Sequence, residues 1–278
     1  MRIALVANPE SGAGEADDVA TLLTKRGAEI DRFPLDRCAD ASSSKPDRIA
    51  VAGGDGSVAC AAEVAGKADV PLAVIPVGTA NDFARSLELP TDLGEACALA
   101  VEGATTRRFD LGRMDKRPFV NAASVGLSPI AARKAHGLKH ALGPFAYAVG
   151  GLRAGLSAAP VSCRVRCDDV EAFAGKAWQV TVAVTGAFGG GAEIEADPRD
   201  GVLDVVTIEA RSRAWLALHA YGLRSGRIEG QSGAISCNGR EVLVETDGAT
   251  GFNVDGELVE GESFRFTIEP RAFELVVG

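Results

Sequence analysis

Two carboxylates separated by a single glycine, Asp255-Gly256-Glu257, lie near the end of a chain whose first third carries three glycine-rich turns. If that segment is extended, both acids point to one face. A carboxylate that accepts the proton of an alcohol is what group transfer to a hydroxyl requires. A hairpin turn with solvated acids also accounts for the same three residues. The turn Gly53-Gly54-Asp55-Gly56-Ser57 offers the complementary chemistry. Glycines let backbone N–H groups approach phosphate oxygens closely, and Ser57 can cap a helix or bond a phosphate. Asp55 would repel a bare phosphate. It fits if it orients Mg²⁺ or its water shell, or if it caps backbone amides. A third segment, Gly78-Thr79-Ala80-Asn81-Asp82, gathers short polar groups suited to phosphate, backbone or hydrated metal. Its plainer reading is an N-cap at Asn81 or Asp82.

These residues need elements to hold them. Ile3–Ala7, Arg48–Ala52 and Leu72–Ile75 read as buried strands, each running into a glycine-rich turn. The first of these turns is Asn8-Pro9-Glu10-Ser11-Gly12-Ala13-Gly14. Helical spacing follows over Ala16–Arg26 and Ser57–Ala65. Strands alternating with helices predict a parallel sheet, and ligands of such sheets bind beyond the carboxyl ends of the strands. All three turns fall at those ends, which argues for one composite site.

The pattern changes near Phe109-Asp110-Leu111-Gly112. Short β-like runs follow: Phe119–Ala122, Ser162–Cys167, Trp178–Thr185, Leu203–Ile208, Glu241–Glu245, Gly251–Val254, Phe264–Ile268 and Phe273–Val277. Ile130–Gly155 and Ala214–Leu223 read as helical interruptions. The expectation is an α/β N-terminal domain with a parallel sheet and a mostly antiparallel, β-rich C-terminal domain.

Composition narrows the function classes. The chain has 278 residues, a net charge of −9, 46% apolar and 24% charged residues. It lacks the basic footprint of a nucleic-acid binder, and its charge gives no permanent hold on an anionic membrane. Arg107-Arg108, Arg133-Lys134 and Arg211/Arg213 read as solvated surface. The six cysteines form no secreted framework. Cys163 and Cys167 share a strand face and are read as packed residues or a metal pair. His136 and His140, at helical spacing, read as surface. The opening run Met1–Ala7 flows into a loop rather than a cleavage site, and no apolar run approaches the roughly 20 residues of a membrane span. A cytoplasmic protein that meets lipid only from the membrane surface is expected.

Five segments occur in one order along nearly the whole chain: Asn8-Pro9-x-Ser11-Gly12, Gly53–Ser57, Gly78–Arg85, Asp200-Gly201-Val202-Leu203-Asp204 and Phe252-Asn253-Val254-Asp255-Gly256-Glu257. Together they resemble the diacylglycerol kinase catalytic-domain family, which includes soluble bacterial lipid kinases and sphingosine kinases. The resemblance implies a two-domain lipid kinase fold, NAD-kinase-like in its first domain, with ATP in the cleft. The implied division is 1–112 plus 269–278 for the nucleotide and 113–268 for lipid and metal. The last strand would return to the N-terminal domain.

The resemblance also implies residue roles. Asn8, Gly53, Gly54, Asp55, Gly56, Ser57, Gly78, Thr79, Asn81 and Asp82 would form the nucleotide site. Asp255 and Glu257 would supply the general base or its immediate partner. Asp200, with the carbonyls of Asp197 and Val202, would bind a structural Mg²⁺, and Asp110 would join its water network. From its residues alone, Asp197–Gly201 reads as a turn. The acceptor pocket should be apolar and between the domains; Ile130, Leu138, Leu142, Phe145 and Tyr147 of the helical interruption read either as its lining or as plain core. The chain departs from its relatives in lacking Lys or Arg around Ala13 and Glu15, in having Ser57 for Thr, and in having Ala59 and Cys60 for polar residues. Two other readings stay open: a kinase of a soluble acceptor such as NAD, and a non-catalytic module that binds nucleotide or lipid.

Overall fold

The computed structural model describes residues 1–7, 15–127, 159–188, 192–212 and 233–278. Asn8, the histidine pair, the candidate pocket residues Ile130–Tyr147 and both helical interruptions lie outside them, as does Arg133-Lys134.

The first half alternates strand and helix: β1 (Arg2–Ala7), α1 (Glu15–Lys25), β2 (Glu29–Pro34), a 3₁₀ segment (Leu35–Ser44), β3 (Arg48–Gly53), α2 (Asp55–Ala68), β4 (Leu72–Pro76), α3 (Asp82–Ser86) and α4 (Leu93–Glu102). β2, β1, β3 and β4 pair in that order, all in parallel. Both faces of the strands are covered, which is why they read as unbroken apolar runs. On one face Val6, Ile49, Val51 and Val74 meet Val58, Ala61, Ala62 and Ala65 of α2. On the other, Ile3, Leu5, Ala50 and Ile75 meet Val19 and Leu23 of α1 and Ala96, Cys97 and Ala100 of α4. The alanines of α2 let the helix lie close against the sheet.

The second half is built from β5 (Thr105–Met114), β6 (Arg117–Phe119), β7 (Ala122–Gly126), β8 (Val161–Cys167), β9 (Val170–Ala183), β10 (Ala187–Phe188), β11 (Ala192–Glu193), β12 (Leu203–Glu209), β13 (Ala234–Gly239), β14 (Glu241–Val254) and β15 (Glu257–Val277). Pairing among β5 to β14 is antiparallel. Phe119, Phe252, Phe264 and Phe266 anchor its core with Val180, Val182 and Val244. The Phe252 and Phe264 rings have centroids 4.7 Å apart. Cys167 is bonded to Cys237, so the pairing of Cys163 and Cys167 at a metal is not formed.

One strand joins the halves. β15 pairs with β14 at its start, with β5 along its second part, and in parallel with β4 at Leu275. The sequence divides it into two runs because Glu269-Pro270-Arg271 interrupts the apolar pattern. The register shifts there between Glu269 and Phe273, and Arg271 takes a left-handed φ of 54°. Likewise Glu241–Glu245 and Gly251–Val254 are parts of one β14, interrupted by a register shift. Conversely, Phe119–Ala122 is two strands, β6 and β7, with Val120-Asn121 between them. Among the described residues no helix is long and apolar enough to cross a membrane.

Candidate active site

The two glycine-rich turns meet backbone to backbone. Gly54 precedes α2 at the end of β3, and Gly78 follows β4. A side-chain carbon at Gly78 would stand 2.6 Å from the Gly54 Cα, so only glycine permits this contact. Val77 N also donates to Gly53 O at 3.3 Å. Both loops thereby open on the same edge of the sheet. Ser57 lies inside the first turn of α2, whose N-cap is Gly54, so the capping role read for Ser57 is not formed. Thr79 is exposed at the loop tip.

Asp55 caps, but it caps the neighbouring helix. Its Oδ1 accepts from Phe83 N at 2.9 Å and its Oδ2 from Asp82 N at 3.2 Å. These are first-turn N–H groups of α3, which lack intrahelical partners. Asn81, at the N-cap position, has a left-handed φ of 51° and makes no side-chain cap; its Nδ2 donates to Gly78 O at 2.9 Å instead. Asp82 is buried and paired with Arg85. Burial pushes the Asp55 carboxyl up, the two N–H donors pull it down, and the Asp82 charge adds to the rise.

Asp255-Gly256 proves to be a two-residue hairpin turn. Val254 pairs with Glu257, and φ is 46° at Asp255 and 92° at Gly256. Positive φ at both positions is what Asp-Gly favours between twisted strands. The segment is therefore not extended, and the expected common face of Asp255 and Glu257 is lost. Asp255 instead accepts from Val120 N at 2.7 Å, Asn121 N at 3.0 Å and Ala122 N at 3.1 Å. It anchors the turn to the β6–β7 connection. Glu257, beyond the turn, stands over the start of α2. A side-chain carbon at Gly56 would lie 3.0 Å from its Oε1. Arg117 pairs with Glu257 across a half-exposed surface, which adds orientation and little stability. The geometry thus separates the two acids: Asp255 positions, and Glu257 faces the glycine-rich turns.

Burial pushes the Asp255 carboxyl up to about 7; the three backbone donors oppose that rise and the nearby Asp55 charge adds to it. In the unfolded chain the group has its ordinary value near 3.8. A raised carboxyl keeps its proton longer in the folded state. Its stabilising contribution is complete below about 3.8 and is lost as pH rises through about 7. Thermal melts between pH 5 and pH 8 should show wild-type stability falling over that interval, with a flatter profile in Asp255→Asn. Parallel profiles would show that Asp255 titrates as an ordinary carboxylate.

The loop at 197–202 contributes oxygen donors of the kind a hard cation takes. Asp200 Oδ1 accepts from Val202 N at 3.1 Å, and Asp200 N donates to Asp197 O at 3.4 Å, so the loop folds back on its own backbone. Among the described residues no group of three or more His, Cys, Asp or Glu side chains that could hold a metal ion forms. Asp110, expected in the water network of that metal, bonds directly to the backbone on both sides of the loop. Its Oδ2 accepts from Gly201 N at 2.8 Å and its Oδ1 from Arg271 N at 2.7 Å. Asp110 N donates to Pro198 O at 2.9 Å. The buried carboxylate stitches this loop directly to the irregularity in β15.

Three residues that the sequence reading did not single out complete the site: Arg117, Asn121 and Thr185. The signal at Asn121 is a buried amide in the apolar run Phe119–Ala123; it is 2% exposed.

Comparison with known proteins places this geometry. Residues 2–114 match the diacylglycerol kinase catalytic domain, and residues 121–277 match the YegS C-terminal NAD kinase beta sandwich-like domain. The chain is 32% identical over 231 residues to a diacylglycerol kinase of Staphylococcus saprophyticus, covering 77% of this chain and 75% of that protein. It is 30% identical over 275 residues to that of Staphylococcus epidermidis, covering 92% and 85%. A Bacillus anthracis crystal structure assigned as a diacylglycerol kinase superposes with a TM-score of 0.79 at 20% identity, covering 100% of this chain and 97% of that one. Yeast NADH kinase complexed with NADH superposes at 0.52 with 11% identity, covering 99% and 82%; both likenesses concern the fold. With two glycine-rich turns, an acid at α2 and relatives matched along most of its length, the chain belongs to the diacylglycerol kinase family.

Proposed function

We propose that the protein transfers the γ-phosphoryl group of ATP to the hydroxyl of a membrane lipid, with diacylglycerol the foremost acceptor. The observation that carries this reading is the Glu257 carboxylate standing at Gly56, where the phosphate-type turns open. Membership of a kinase family supports the use of ATP, which enters with Mg²⁺ as its substrate partner. Residues 1–112 with 269–278 would bind nucleotide, and 113–268 would take the acceptor.

In this reading the backbone of Gly53, Gly54 and Gly56 leaves room for phosphate oxygens, with Ser57, Gly78, Thr79 and Asn81 around them. Asp55 fixes α3 and so fixes Asp82. Glu257 takes the proton of the acceptor hydroxyl as the bond to phosphorus forms. Arg117 holds that carboxylate in place. ATP consumption in mixed micelles with a panel of lipids tests the reading. Turnover with diacylglycerol or a related glycerolipid or sphingolipid is expected. Turnover only with a soluble acceptor such as NAD, or ATP binding with no acceptor, would replace it.

Asp200, with the Asp197 and Val202 carbonyls, is proposed to hold a structural Mg²⁺ that ties the loop to the buried Asp110. A cation bound only by the folded state stabilises it by mass action. EDTA should therefore lower the wild-type melting temperature by about as much as Asp200→Ala does, and should not affect the variant further. A wild-type melting temperature indifferent to EDTA would remove the cation.

A further inference from the structure

We propose that Arg117 is a further catalytic residue, whose guanidinium bridges the Glu257 carboxylate and the γ-phosphoryl group of ATP. This rests on the lipid kinase reading. Arg117 opens β6, which pairs with β5, and this hairpin is set against α2 in two places. Arg113 Nη2 donates to Glu63 Oε1 at 3.0 Å. Val120, just beyond β6, shares a buried cluster with Val58 and Ala59. Arg117 is thereby brought to the glycine-rich end of the helix, where its Nη2 donates to Glu257 Oε2. The other oxygen of that carboxylate, Oε1, is the one that faces Gly56.

The role of Glu257 fixes how close the phosphate must come. A general base lies about 3 Å from the oxygen whose proton it takes. That oxygen lies about 3 Å from the atom it attacks. The γ-phosphorus therefore comes within about 6 Å of Glu257 Oε1, and the guanidinium already touches the neighbouring oxygen. A guanidinium carries five N–H donors in a planar fork that suits phosphate oxygens. Among the described residues Glu257 engages one donor of Arg117, and the half-exposed side chain leaves the others open to a ligand. In the transfer step the hydroxyl proton passes to Glu257 and the hydroxyl oxygen bonds the γ-phosphorus. The bond from that phosphorus to the bridging oxygen breaks, and ADP leaves. Arg117 is unchanged by the step; it balances charge on the transferred oxygens.

The test is Arg117→Gln and Arg117→Lys, titrated by calorimetry with Mg²⁺-ATP and Mg²⁺-ADP in the absence of lipid. ADP lacks the γ-phosphoryl group and is the internal reference. Arg117→Gln is expected to weaken ATP at least about tenfold and to leave ADP within about threefold of wild type. Arg117→Lys keeps the charge without the fork and should fall between. In the steady-state assay kcat of Arg117→Gln should drop at least about tenfold. The loss of ATP affinity should also appear when Arg117→Gln is placed in Glu257→Gln, because the phosphate contact does not pass through the carboxylate. An ATP-to-ADP affinity ratio that stays at the wild-type value in Arg117→Gln overturns the proposal and leaves Arg117 with the orientation of Glu257 alone. Equal weakening of both nucleotides, with a lowered melting temperature, overturns it as well. A wild type that binds ATP and phosphorylates no lipid sinks the functional reading by itself. The affinity ratio then still decides Arg117, since no acceptor enters that measurement.

Discussion

Glu257→Gln is expected to lower kcat for lipid phosphorylation at least about 100-fold, roughly 2.7 kcal/mol of barrier, with ATP affinity nearly unchanged. The substitution keeps the size of the side chain and removes the basic oxygen. Glu257 lies on the first residue of β15, over the start of α2, and its pairing with Arg117 is half-exposed. Its loss should therefore leave the melting temperature close to wild type. The effect belongs in the transition state, where the hydroxyl proton is in transit, so kcat falls and the binding of ATP, measured by calorimetry, does not. A variant that turns over lipid at the wild-type rate would place the base elsewhere. Asp255→Asn should act by a different route. It weakens the three backbone bonds that seat the hairpin turn, so any loss of activity should come with a loss of stability.

Asp55→Ala is expected to remove activity and stability together. Sequence position alone suggests a purely functional acid, whose removal leaves the fold intact. The structure adds a second cost. Asp55 is 9% exposed and accepts from two backbone N–H groups of α3. Without it those donors are left in a site that excludes water. Loss of a cap and of a charge-assisted bond suggests about 2 kcal/mol of stability. Activity should fall at least about 100-fold, because α3 carries Asp82 and loses the carboxylate that fixes its first turn. Asp55→Asn should recover part of the stability, since its amide oxygen still accepts, and little of the activity. Denaturant unfolding beside a steady-state assay checks both parts. Full stability with no activity would return Asp55 to a purely chemical role, and full activity would make it a turn residue alone.

The parallel arrangement of β1 to β4 was legible because strands covered on both faces must be apolar throughout. Their ends were legible because only glycine allows the Gly54–Gly78 approach. The segments that give the family resemblance are likewise local: each is a turn whose residue types follow from its own backbone. Asp255-Gly256 was legible as a hairpin turn by the same rule, although the extended alternative was the one that paired its acids. The long strand β15 was not legible as one element. Its continuity comes from partners in β14, β5 and β4, and the polar interruption at Glu269-Pro270-Arg271 hides it.

The sequence by itself determined which local conformations are allowed: buried strands, glycine turns, an Asp-Gly hairpin and the chemical types gathered at their ends. Those follow from sterics and burial within a few residues. Only the tertiary structure decided what each acid does. Asp55 caps a helix 27 residues away, Asp110 joins loops 91 and 161 residues away, and Asp255 seats a turn against residues some 135 positions earlier. A carboxylate carries the same formula in all three places. Its role is set by which N–H groups the sheet brings to it, and those partners are far apart in the chain.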